Sequence, residues 1–333
     1  MAKRIAINGF GRIGRLTFRN LMEMDDVEVV AINDLTDNAV LAHLLKYDTA
    51  HGRFNGTVTA TEDKIIVNGK EILATAERDP SKLPWSENNI DVVLECTGRF
   101  TKRSEMQMHI DAGAKKVVLS APSKGSGHVP TVVLGVNNHA ITAEETIYSN
   151  ASCTTNCLTP IVKIIEDNWG IVVGSMTTIH AYTADQNLQD APHSDLRRAR
   201  AAAQNIVPTS TGAASATGEV IPSFIGKVSA IAVRVPVITG SMVELNVVVE
   251  KVPTKAEINA TFKKYAEGEM RGVLEYSEDP LVSSDIIGNK HSSIFDSKMT
   301  DVNGNMIKVV SWYDNEAGYS ARLAELTQKI AFA

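Results

Sequence analysis

The chain has 333 residues, 44% of them hydrophobic and 22% charged, with a formal net charge of −6 at pH 7. That length suggests about two domains, and the acidic balance argues against a broad nucleic-acid or anionic-membrane surface while leaving room for a small local site for an anionic metabolite. Three cysteines, Cys96, Cys153 and Cys157, are too few for a disulfide framework and point to a reducing compartment. No apolar run approaches the roughly 18 residues of a membrane helix, and the N-terminus runs straight into a strand pattern, so a cytoplasmic protein is expected.

Arg4 to Asn8 reads as a short apolar strand, followed at once by Gly9-Phe10-Gly11-Arg12-Ile13-Gly14 and by a helix carrying Leu16, Phe18, Leu21 and Met22. A second strand, Val27 to Asn33, ends in Asp34. Strand, Gly-x-Gly-x-x-Gly, helix, strand and acid form the dinucleotide fingerprint in its required context. Gly9, Gly11 and Gly14 supply a tight turn, close approach of the backbone to a pyrophosphate, and close helix–strand packing. Asp34 stands 20 residues after Gly14 (34 − 14), where a carboxylate accepts from ribose hydroxyls and repels a 2′-phosphate, so NAD is expected ahead of NADP. The plainer alternative is a structural turn with Asp34 capping a loop.

Buried-strand runs follow at Asp91–Cys96, Lys116–Ser120 and Thr131–Gly135, the pattern of a parallel sheet. Ligand-facing residues lie just past strand ends in such sheets, which makes Thr97 and Ser120 cofactor candidates. Thr57 to Ile72 reads as an inserted β-hairpin, and Arg78 after it as a solvated charge. From about residue 150 the character changes: alternating strands over 174–182, 226–236 and 241–252, a helix over 255–268, a strand over 307–313 and a closing helix over 315–332. The expected fold is α/β in the first half, with a Rossmann-type parallel sheet over 1–150, and α+β in the second, a mostly antiparallel catalytic domain over 151–315, with the C-terminal helix 316–333 packing back on the first.

Within this second half, Ser149-Asn150-Ala151-Ser152-Cys153-Thr154-Thr155-Asn156-Cys157 leads into Leu158, Ile161, Val162, Ile164 and Ile165 at helical spacing. With Ser152 as N-cap, Cys153 falls in the first turn, where free N–H groups and the helix dipole favour an anion. The expectation is a thiol lowered from its usual ~8.5, although an early-helix cysteine is also a common small core residue. Pro160 leaves the cap position open by a residue or two. His180 lies 27 residues further on (180 − 153) near a strand end, so helix start and strand end can converge into a thiol–imidazole pair. No second Cys or His pair stands at zinc spacing, so no metal is expected. Arg234 sits inside the apolar strand Ala230–Pro236, where an unpaired charge is costly, so either an anionic ligand or a neighbouring carboxylate should meet it. Arg197-Arg198-Ala199-Arg200 is either a solvated charge run or part of an anion site, and Pro208-Thr209-Ser210-Thr211-Gly212 either a turn or an anion nest.

Gly9-Phe10-Gly11-Arg12-Ile13-Gly14-Arg15, the Ser149–Cys157 stretch, Ser210-Thr211-Gly212-Ala213-Ala214 and Ser311-Trp312-Tyr313-Asp314-Asn315-Glu316 resemble, in order and over essentially the whole chain, the phosphorylating glyceraldehyde-3-phosphate dehydrogenase family. The resemblance implies Cys153 as nucleophile and His180 as base. Thr183 and Arg234 would hold the substrate's own phosphate; Ser152, Thr154, Thr211, Gly212 and Arg198 would serve substrate and the attacking inorganic phosphate. Arg12, Ile13, Asp34, Arg78, Ser120 and Asn315 would hold NAD. It further implies a sugar phosphate and inorganic phosphate as small-molecule partners and a homotetramer. Ala191-Pro192 stands where many NAD-specific members carry Leu-Pro. Erythrose-4-phosphate dehydrogenase activity, or a non-catalytic NAD-binding redox sensor switched at Cys153, are the alternatives.

Overall fold

The computed structural model describes residues 2–333, which fall into two compact units. The first comprises residues up to 132, 138–151 and 320–333; the second comprises 133–137 and 152–319.

Its elements in the first unit are β1 (Lys3–Asn8), α1 (Arg12–Leu21), β2 (Val27–Asn33), α2 (Asn38–Lys46), β3 (Val58–Ala60), β4 (Lys64–Val67), β5 (Lys70–Thr75), β6 (Val92–Glu95), α3 (Arg103–Asp111), β7 (Lys116–Leu119) and β8 (Ile147–Ser149). They build one eight-stranded sheet in the order β3-β4-β5-β2-β1-β6-β7-β8. From β5 through β8 every pairing is parallel, as the continuous apolar strands require when both faces are covered. The strand order reverses between β1 and β6, a topological switch point of the dinucleotide-binding kind.

Two sequence expectations need correction here. The region expected as a hairpin is a three-stranded antiparallel run whose last strand, β5, joins β2 in parallel and so belongs to the main sheet. Thr131–Gly135 is not a strand: Thr131 makes one bridge to Ser149, and the chain then turns, with Gly135 at φ +86°. Its apolar residues are buried, and burial without extension leaves the same hydrophobic signature. The sixth parallel position is taken by the three-residue β8, too short to read by periodicity.

The second unit contains α4 (Cys153–Trp169), β9 (Ile171–Ala181), β10 (Val207–Thr209), α5 (Ala213–Val220), β11 (Val228–Val235), β12 (Ser241–Val249), α6 (Lys255–Glu267), β13 (Leu274–Ser277), β14 (Ser293–Asp296), β15 (Asp301–Asn303) and β16 (Met306–Tyr313). The last helix, α7 (Ala317–Phe332), begins there and passes into the first unit at Ser320. Its end is tied down by Gln328 donating to both oxygens of Asp26 at 2.8 and 2.9 Å and by Lys116 Nζ donating to the Ala333 carbonyl at 3.0 Å. The second sheet runs β10-β11-β9-β12-β16-β14-β13, with β15 on β16. It is mostly antiparallel; β9–β11 and β13–β14 are the parallel pairs. On β12 strict alternation buries Val243, Leu245, Val247 and Val249, and this face packs with Leu158, Ile161, Val162 and Ile165 of α4 in one core cluster. Burying each such side chain contributes roughly 1.5–3 kcal/mol, enough to hold α4 despite Pro160 inside it. No helix among the described residues is long and apolar enough to cross a membrane.

Candidate active site

Ser152 caps α4: its hydroxyl accepts from Thr155 N at 3.1 Å, in extended backbone at φ −106°. The first turn therefore opens at Cys153, as the sequence reading has it, and Pro160 sits in the interior rather than shifting the cap. Cys153 Sγ lies 3.4 Å from His180 Nε2. His180 is the penultimate residue of β9, only 3% exposed, and it faces Arg234 in register on the parallel neighbour β11. That register explains why a guanidinium is found inside an apolar strand.

Arg234 Nη1 lies 2.8 Å from His180 Nδ1, 3.1 Å from the Ala181 carbonyl and 3.2 Å from Thr183 Oγ1. His180 Nδ1 is also 2.7 Å from the Ala181 carbonyl. Nη1 has two hydrogens, and the carbonyl and the hydroxyl are the acceptors that fit them. Nδ1–H then donates to the same carbonyl, and Nε2 is left with a lone pair facing the thiol. This assignment satisfies the donors. Arg234 Nε is buried with no partner, and no carboxylate of this unit forms an ion pair with Arg234 among the described residues. The nearby Asp185 carboxyl is held down, against burial, by its Thr183 bond and then by the Arg234 charge.

Burial shapes both titrations. It pushes His180 down from its ordinary value to about 3, helped by the Arg234 cation. It pushes the Cys153 thiol up, against the opposing pull of Arg234 and of the bonds made by Thr154. Burial thus opposes the lowering expected of the helix terminus, while the Arg234 guanidinium and the Thr154 bonds act in the expected direction on a sulfur that is only half-buried.

Tyr313, at the end of β16, is a site residue with no local sequence signal. Its hydroxyl bridges Thr154 Oγ1 at 2.9 Å and Thr178 Oγ1 at 2.8 Å, and its ring meets His180 edge-on with centroids 5.9 Å apart. It ties the first turn of α4 to β9 and holds thiol and imidazole at their spacing. The aromatic at the end of an alternating strand was visible, but nothing local tied it to Cys153. Thr154, a predicted ligand residue, is 5% exposed with its hydroxyl committed to Tyr313.

The other predicted anion-site residues are placed as follows. Thr183 Oγ1 donates to Asp185, which also pairs with Arg198. Arg198 Nε donates to Thr209 Oγ1 at 3.0 Å, so it belongs to a local carboxylate network rather than to a solvated charge run. Thr211 Oγ1 accepts from Ala213 N at 3.2 Å at the start of α5, where Gly212 supplies no side-chain cap. Cys157 is fully buried 3.6 Å from Ser293 Oγ. Among the described residues no cluster of three or more His, Cys, Asp or Glu is placed to hold a metal ion. Asn315 Oδ1 accepts from Ser241 Oγ at 2.9 Å and Gly240 N at 3.2 Å.

In the first unit the glycine turn has the shape a dinucleotide needs. Gly9 sits at φ +93°, and a Cβ there would come within 2.6 Å of Thr97 N; a Cβ on Gly14 would meet the Gly9 carbonyl at 2.3 Å. Gly11 faces open space, and α1 begins after it with no side-chain cap, so the positive end of a helix dipole opens at the turn. Ile13 is half-buried beside Gly14. Asp34 accepts from Phe10 N and Thr36 N at 2.8 and 2.9 Å, which aims its carboxylate while keeping lone pairs for hydroxyl donors. Arg12 is held by both oxygens of Asp48 at 3.1 and 3.2 Å; against burial, the His51 bonds and then the Arg12 guanidinium keep that carboxyl well below the usual range. Ser120 N donates to the Glu95 carbonyl at 3.0 Å at the end of β7; Arg78 is exposed.

A largely parallel dinucleotide-binding sheet with its glycine turn, and a cysteine–histidine pair beside an arginine, are the features expected of a nucleotide-dependent thiol enzyme. Comparison with known families narrows the class. Residues 3–103 match the glyceraldehyde 3-phosphate dehydrogenase NAD binding domain, and residues 152–315 match the C-terminal domain of the same enzyme. The chain is 56% identical to glyceraldehyde-3-phosphate dehydrogenase 2 of Streptomyces avermitilis over 98% of both chains. It is 56% identical to the glyceraldehyde-3-phosphate dehydrogenase of Thermotoga maritima over 97% of each, and 53% to that of Geobacillus stearothermophilus over 99% of each. The chain belongs to the glyceraldehyde-3-phosphate dehydrogenase family.

Proposed function

We propose that this chain oxidises D-glyceraldehyde 3-phosphate to 1,3-bisphosphoglycerate with NAD and inorganic phosphate, through a thioester on Cys153. The observation that carries the reading is the 3.4 Å approach of Cys153 Sγ to His180 Nε2 beside Arg234. His180 Nε2 takes the thiol proton as sulfur bonds to the aldehyde carbon, and returns it to the oxygen to give a hemithioacetal. It next takes that hydroxyl proton as the carbon is oxidised to a thioester. NAD, when bound, supplies the hydride acceptor. An oxygen of inorganic phosphate attacks the thioester carbon, the acyl phosphate departs, and Cys153 recovers its proton from His180.

Thr183 and Arg234 bind the substrate's phosphate in this reading, with Ser152, Thr154, Arg198, Thr211 and Gly212 serving substrate and inorganic phosphate. A dianion against Arg234 offsets the positive charge that depresses His180, so substrate binding strengthens the base it needs. Gly9, Gly11, Arg12, Ile13, Gly14, Asp34, Arg78, Thr97, Ser120 and Asn315 hold NAD; the Asn315 carbonyl is already engaged, which leaves its amide N–H₂ to a carboxamide. Residues 1–150 with 316–333 act as the NAD-binding domain and 151–315 as the catalytic one. The exposed Leu188, Leu196, Ile206 and Ile231 suit burial between copies in a homotetramer, and the three unpaired cysteines suit the cytoplasm.

The test is NADH formation followed at 340 nm, with and without inorganic phosphate, for the three- and four-carbon sugar phosphates. Phosphate-dependent turnover favouring glyceraldehyde 3-phosphate is expected. Preference for erythrose 4-phosphate, or indifference to phosphate, overturns the assignment.

A further inference from the structure

A second polar network, absent from the scheme above, lies beneath the glycine turn. Glu95 ends β6, is 0% exposed, and is surrounded by donors. Asn8 Nδ2 donates to its Oε2 at 2.6 Å, Thr97 N to Oε1 at 2.8 Å, and the Thr97 hydroxyl also to Oε1. His109 Nε2 stands 3.1 Å from Oε2. The indole of Trp85 donates to His109 Nδ1 at 3.0 Å. An indole N–H only donates, so Nδ1 is bare, the ring proton is on Nε2, and His109 is a neutral donor to Glu95. Every neighbour offers a proton and none asks for one; the carboxylate is the form they fit.

The network continues sideways. Asn33 Nδ2 donates to Asn8 Oδ1 at 2.7 Å, while Asn33 Oδ1 accepts from Thr75 Oγ1 and Glu77 N, each at 2.8 Å. The carboxyl ends of β6, β1, β2 and β5 are thus stitched together one residue below Gly9 and Asp34. Among the described residues Glu95 has no Lys or Arg partner, so a buried negative charge stands without a permanent cation, a costly arrangement. Its position suggests what offsets it. Asp34 follows β2 and, on the reading above, takes the adenosine side of a dinucleotide, which leaves the nicotinamide half to the β6 side of the switch point. The oxidised nicotinamide is a cation and the reduced one is neutral.

We infer that Glu95, kept in place by Asn8 and His109, is a positioning residue that sets Thr97 against the Gly9 turn, and that its charge favours NAD⁺ over NADH in the binding site. This rests on the reading of NAD as cofactor. Isothermal titration of whole wild-type protein and of Glu95→Gln with each nucleotide tests it, with thermal unfolding followed in parallel. Glu95→Gln removes the charge at constant size and is expected to raise the Kd for NAD⁺ about tenfold and that for NADH less than about threefold. A merely structural residue would weaken both alike, and that result, or no change in either, overturns the inference. Glu95→Asp keeps the charge but withdraws it from Thr97. It should weaken both nucleotides by one common factor, and it decides the positioning role even if Glu95→Gln fails to fold; unchanged binding, or a changed ratio, counts against it. Wild-type protein that bound no NAD would overturn the cofactor reading itself, whereas normal wild-type binding with an unaffected Glu95→Gln overturns only this inference.

Discussion

The two units make their ligand-handling surfaces in opposite ways. In the first, the turn from Gly9 to Gly14 is backbone within one short segment, and side chains matter chiefly by being absent. In the second, Cys153, His180, Arg234 and Tyr313 come from α4, β9, β11 and β16, and their spacing exists only because β9 pairs with β11 and Tyr313 spans two threonines. A backbone site fails when an atom is added; a side-chain site fails when one is removed.

The largest expected effect breaks the second kind of site. Cys153→Ser should reduce NADH formation to the assay background, because a hydroxyl is a far weaker nucleophile than the sulfur it replaces, while NAD titration remains normal. If NAD binding fell as well, the claim that the two surfaces are built independently would be wrong. His180→Asn comes next, with kcat lower by roughly 10²–10⁴. It also carries a pH signature. The native imidazole binds a proton only near 3, whereas an unfolded histidine does so near 6.5. Stability from this site is therefore fully present above about 6.5 and is lost as pH falls toward 3. Acid unfolding of wild type and His180→Asn should show that slope only in the wild type; matching profiles would mean His180 is not buried neutral.

The backbone site is tested by Gly9→Ala. The added methyl meets Thr97 N at 2.6 Å in a left-handed conformation at φ +93°, so a loss of more than about 1 kcal/mol is expected, read as a lowered Tm and at least a tenfold weaker NAD affinity. Normal NAD affinity in that variant would show that the turn is not the nucleotide cradle. Asp34→Asn should be milder, narrowing the preference for NAD over NADP about tenfold through lost NAD affinity; a wild type that used both coenzymes equally would shift discrimination to the segment around Ala191. The smallest effect belongs to Tyr313→Phe. Losing two hydroxyl contacts should cost about 1–3 kcal/mol of stability and lower kcat a few fold, and a variant with unchanged kcat would show that Tyr313 does not set the Cys153–His180 spacing.

The glycine turn, the acid after β2 and the cap before Cys153 were legible in the residues alone, because each depends on contacts within a few positions of the chain. By itself the sequence also determined the buried strands at Asp91–Cys96 and Lys116–Ser120 and that a thiol would open a helix. Only the tertiary structure decided that Thr131–Gly135 turns instead of extending, since apolar character records burial and not direction. It alone decided that Arg234 faces His180, because strand register is a relation between distant segments. It set burial against the expected lowering of the Cys153 thiol, because dehydration depends on everything packed around the sulfur while the helix end contributes one local field. The same holds for Glu95, which in the chain is only the last acid of an apolar strand, and which the packed sheet surrounds with Asn8, Thr97 and His109.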